Sequence, residues 1–125
     1  MLHRPKPAEA YRRVELDACV AGGNPAQMTR LCIAEAIGAL NRSLYFESRG
    51  NDESCRNCLL KAISAMQALQ LGVDREQPLG DVLLTFYGNA CQGVSRNLRN
   101  FDAEAIAAIR GDLLDIDQAF GAAQA

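Results

Sequence analysis

Two thiols lie three positions apart in Cys55-Arg56-Asn57-Cys58, with an arginine between them. At a helix N-terminus the unpaired backbone N–H groups carry partial positive charge, which can lower a thiol pKa and suit such a pair to redox exchange. The same residues also suit a packed seam, because Cys55 shares helical spacing with Leu59 and Ala62 and no βαβ pattern surrounds the motif. Zinc would need two more soft ligands, and only the dispersed Cys19, Cys32 and Cys91 remain. The single histidine, His3, sits beside Arg4 and Pro5 in an N-terminal stretch expected to be mobile, so a nucleophile–histidine pair or a histidine-ligated metal would depend on a disordered segment. Glu35 stands among apolar residues, while Asp112, Asp115 and Asp117 are expected to form a solvated face. No Glu-x-x-His pair suggests a di-iron bundle, and Gly72, Gly80, Gly88 and Gly93 are too isolated to cradle a phosphate. The reading is a non-enzyme with no catalytic residue, cofactor or metal.

Composition narrows the partners. The chain has 125 residues, 49% of them hydrophobic, and a formal net charge of −2. That balance gives no basic field for nucleic acid, and no Lys/Arg cluster alternates with aromatics. No apolar run approaches the roughly 18 residues that span a bilayer, and MLHRPKPAEAY has no apolar h-region, so a soluble, cytoplasmic protein without membrane insertion is expected. Five cysteines, an odd number dispersed through helical patterns, are expected to be reduced thiols.

The elements that must position these residues are helices. Ala8 to Ala18 suits a short first helix ended by Gly22-Gly23. Asn24 then reads as N-cap of a second, with Pro25 at N1. Gly50 breaks that helix, and Asn51 or Asp52 caps the next, in which Cys55, Leu59, Ala62, Met66, Leu69 and Val73 step by four and three. Beyond Pro78 the periodicity returns through Leu79, Leu83, Phe86, Ala90, Val94 and Leu98. Asp102 caps the final helix, with Phe101 placed to staple against Ile106, and Ile109, Leu113, Ile116 and Phe120 continue its stripe. Phe86 and Tyr87 read as core. Short connections make successive long helices antiparallel neighbours. The expected fold is all-α, an antiparallel up-down four-helix bundle with a short N-terminal helix. It forms one domain over 1–125, with 1–7 and 121–125 mobile.

The helix from Met28 to Phe46 carries more apolar surface than one core stripe needs. Met28, Cys32, Ala39 and Phe46 mark one edge of an arc about half the circumference wide, and Ile33, Ile37, Leu40 and Leu44 form a ridge at the other. Either the ridge is the wall of a groove for a partner's amphipathic segment, or the helix is central and covered on both edges. The residues alone leave both readings open.

The order and spacing of several short features resemble the flagellar secretion chaperone family, FliS. They are Ala10-Tyr11-Arg12-Arg13, the Pro25-led helix, Leu59-Leu60-Lys61-Ala62, Leu69, Val73-Asp74, Leu79, Phe86-Tyr87 and Asp117-Gln118-Ala119-Phe120. The similarity runs from about Ala8 to Phe120, and no single motif in it is diagnostic. Phe120 stands where the family commonly has tryptophan, Gly88-Asn89 follows Tyr87 where a second aromatic is frequent, and Gly72-Val73-Asp74 replaces the usual Ser-Leu-Asp.

The resemblance implies a cytosolic helical bundle that binds the C-terminal region of flagellin, prevents premature polymerisation and assists delivery to the flagellar type III export apparatus. It implies export gate components as further partners. It favours Ile33, Ile37, Leu40 and Leu44 as the partner-binding ridge, with Tyr11 matching an N-terminal tyrosine that caps the empty groove. Two other classes remain: a helical scaffold that forms a homodimer in the absence of a client, and a thiol-redox or metal-binding bundle using Cys55 and Cys58.

Overall fold

The computed structural model describes residues 25–124. The expected helix over Ala8–Ala18, together with His3, Tyr11 and Cys19, lies outside them. Four helices make up the described chain: α1 (Pro25–Ser48), α2 (Asp52–Leu71), α3 (Gly80–Asn97) and α4 (Ala103–Gln124). No strand occurs among the described residues. The helices close a ring in which α1 packs on α2, α2 on α3, α3 on α4 and α4 back on α1. The fold is an all-α up-down four-helix bundle.

Local chemistry places each boundary. Gly50 adopts φ +70°, a left-handed conformation that costs a side-chain-bearing residue about 1 kcal/mol, and so the chain reverses there within three residues. Only an antiparallel neighbour can be reached by so short a connection. The Asn51 side chain then accepts the Ser54 N–H at 3.1 Å, satisfying one of the orphan donors at the α2 N-terminus. Asp102 does the same for α4, accepting from the N–H groups of Glu104 at 3.0 Å and Ala105 at 3.3 Å. Between α2 and α3, the Asp74 carboxylate accepts the Glu76 N–H, and the chain folds back until Gly80 lies against the Asp74 carbonyl oxygen. A Cβ at Gly80 would collide with that oxygen, so the α3 start admits no larger residue without backbone movement.

The core follows the periodicities. Leu59, Met66, Leu83, Tyr87, Val94, Ile106, Leu113, Ile116 and Phe120 are all fully or almost fully buried, in one cluster with Phe86 and Cys55. Phe101 packs partly buried against the same cluster as Ile106. At the C-terminal end, α4 continues beyond Phe120 to Gln124. Alanine-rich sequence explains this, because alanine has the highest helix propensity.

α1 is held on both sides. Toward α4, Arg30 Nε approaches Asp117 Oδ1 at 3.4 Å, and Arg110 donates to the Asn41 side-chain oxygen at 3.0 Å. Asp117 therefore ties two helices together rather than only facing solvent. Toward α2, Ala36, Ala39, Ala62 and Ala65 are buried small residues of the kind that let two helices approach closely. Most of the wide apolar arc is consumed by these two neighbours.

Candidate partner-binding groove

The surroundings of Cys55 disfavour a reactive thiolate. Cys55 and Cys58 begin the buried face of α2, at 4% and 7% exposure. Burial pushes the Cys55 thiol above its ordinary pKa, and Glu47, Cys58 and Asp52 push in the same direction. The helix end fails to lower it because desolvation and nearby acidic groups outweigh a partial charge. Among the described residues, no group of three or more His, Cys, Asp or Glu side chains is placed to hold a metal ion.

The ridge on α1 requires a correction. Ile33 and Leu40 have no exposed surface, while Ile37 and Leu44 are half-buried and pack against the core cluster. The expectation that Ile33, Ile37, Leu40 and Leu44 form an open groove wall fails, since steps of four, three and four lie along the line where α1 faces the bundle interior. Of the opposite edge only Met28 opens outward, since Ala39 is buried and Cys32 and Phe46 pack partly buried against the core. Met28 is 59% exposed, and Leu31, outside the arc, is 58% exposed. The cap proposed at Tyr11 falls on residues outside those described.

Leu31 belongs to a groove of about 510 Å³ between α1 and α2. Leu31, Cys32 and Glu35 line it from α1; Leu60, Lys61, Ser64 and Ala65 line it from α2. Spacings of four on both helices, 31 to 35 and 60 to 64 or 61 to 65, align these side chains as two facing ridges. Leu60 is 42% exposed, whereas Ala65 is buried and Cys32 half-buried. Large apolar residues thus flank a trough that contains small ones. That relief matches the surface into which a third helix sets its side chains. Covering the exposed parts of Leu31 and Leu60 contributes roughly 1 kcal/mol each.

In comparison with known proteins, no family model and no curated protein matches the chain.

A second concavity, of about 1020 Å³, follows the seam between α3 and α4. Asn89, Arg96, Asn100, Asp102 and Asp112 add polar groups to a lining that also includes Phe86, Ala90 and Ile109. Several of these polar groups serve the fold: Asp102 caps α4, and Asn97 bonds to Gly93 and Asp102 at one end of the seam. The α1–α2 groove is the more apolar of the two and has exposed leucines on either side.

Sequence periodicity missed this groove because it tracks what repeats. Leu31 falls off the stripe that includes Ile33, Leu40 and Leu44, and Leu60 follows Leu59. Consecutive helical residues point about 100° apart, so one leucine of the Leu59-Leu60 doublet must leave the core face. That doublet was the available signal. No helix among the described residues is long and apolar enough to cross a membrane.

Proposed function

We propose that this protein is an export chaperone of the flagellar secretion type. It binds the C-terminal helical region of flagellin in the cytoplasm, prevents its premature polymerisation, and delivers it to the type III export apparatus, where export gate components are further partners. The observation that carries the reading is the exposure of Leu31 and Leu60 on opposite walls of one groove containing Cys32 and Ala65. A helix-in-groove complex needs that relief: large side chains to clasp an apolar stripe, and small ones to admit its projections. The order of sequence features described above supplies flagellin as the client. The partner-binding residues become Met28, Leu31 and Leu60 in place of the ridge, whose Ile33 and Leu40 are buried.

Titration of a flagellin C-terminal peptide, followed by calorimetry, tests this. Leu31→Asp and Leu60→Asp place a carboxylate against apolar client surface and should weaken binding by about a hundredfold. Both variants should remain folded, because neither position belongs to the core. Unchanged affinity in both folded variants would remove the groove from the client site, and absence of wild-type binding would remove flagellin as client.

A further inference from the structure

The groove has one charge on each wall. Glu35 stands on α1 one turn beyond Leu31, and Lys61 stands on α2 beside Leu60 and one turn before Ala65. Both are exposed, and neither forms an ion pair with a described residue, whereas Arg30 on the other side of α1 is paired to Asp117.

We propose that Glu35 and Lys61 set the direction in which a partner's amphipathic helix lies in this groove. The helix admitted carries a basic residue on the flank facing α1 and an acidic residue on the flank facing α2. This inference rests on the groove being a helix-binding site. Apolar contacts leave direction undecided: a stripe repeating every three or four residues presents similar projections to Cys32 and Ala65 when turned end for end. The flanks differ, because turning the helix exchanges the walls they face. In the disfavoured direction the partner's acid meets Glu35 and its base meets Lys61, so two attractive contacts become two repulsive ones. Each exposed pair is weak alone. The difference between directions nevertheless counts all four contacts, at a groove edge that the bound helix partly dries, and should favour one direction by about tenfold. Charge pattern thus acts mainly on specificity, and the leucines supply affinity.

The test uses a synthetic helical peptide with one leucine stripe, lysine along one flank, glutamate along the other, and a paramagnetic label at its C-terminus. NMR broadening in the isotope-labelled protein reads the direction, from the groove end near Met28 or the end near Asn57. Wild type should hold the peptide mainly one way round. The double variant Glu35→Lys with Lys61→Glu should reverse the broadening pattern with affinity changed less than threefold, and the single variant Glu35→Lys should prefer a peptide with glutamate on both flanks. Equal population of both directions, or a direction unmoved by the double variant, overturns the inference while leaving the groove as a helix site. No binding of any peptide overturns both. A concentration-dependent dimer that excludes the peptide and dissociates in Leu31→Asp would assign the groove to a second copy of the chain, and would also overturn the inference.

Discussion

The Asn97 side-chain oxygen, in the last turn of α3, accepts the backbone N–H of Asp102, which caps α4. The Asn97 amide also donates to the Gly93 carbonyl at 2.8 Å, so one buried side chain locks the corner between two helices. Asn97→Leu removes both bonds at a buried site. It should cost about 1–2 kcal/mol in urea unfolding and lower the Tm by roughly 4–12 °C. A Tm within one degree of wild type would mean that water replaces the bonds without loss.

Leu40 and Leu31 lie on the same helix with opposite consequences for stability. Leu40→Ala empties a fully buried position and should cost about 2–5 kcal/mol. Leu31→Ala, more than half exposed, should change stability by less than about 1 kcal/mol. Paired urea titrations compare the two directly, and equal losses would contradict the assignment of Leu31 to the outer wall.

The two thiols with raised pKa predict an alkaline limit. Cys55 is raised by burial and nearby acidic groups, and Cys91 by burial alone. As pH rises past the ordinary thiol value of about 8.5, the unfolded chain loses these protons before the folded chain does. The folded state then holds more protons, so stability declines with rising pH and is flat in this respect below about pH 8. Replacing both by alanine should flatten the part of the decline between pH 8 and 10 that they cause, measured against wild type. An unaltered slope would show that these thiols ionise equally in both states.

Gly50 and Gly80 should respond differently to alanine. At Gly50 a Cβ meets nothing within 4 Å, so the cost is that of the left-handed backbone alone, about 1 kcal/mol. At Gly80 the Cβ runs into backbone, which cannot yield as a flexible side chain can. Gly80→Ala should therefore be the more destabilising, by differential scanning calorimetry. The reverse order would show that the 73–79 connection shifts easily.

Much of the bundle was legible because its signals are local. Pro25, Gly50, Asn51 and Asp102 mark helix ends through backbone and side-chain chemistry that acts within a few residues. The stripes through Leu59 and Met66, and through Ile106 and Phe120, identify the core because periodicity reports a common face. Whether an edge of that face meets a neighbour or water is a tertiary matter. Ile33 and Leu44 read equally well as wall or core until α2 and α4 are placed around α1. Leu31 and Leu60, being off the stripe, carried no periodic signal at all.

The three-residue reversal at Gly50 bears on the order of folding events. Among the described helices, α1 and α2 are joined by the shortest link and pack extensively against each other, so their contacts carry the smallest loop-closure penalty. Low contact order is associated with rapid folding, and this hairpin should form the nucleus onto which α3 and α4 condense. Both walls of the groove belong to that hairpin. The surface proposed to receive a partner is thus assembled from the segment expected to become ordered first, before the return of α4 closes the ring.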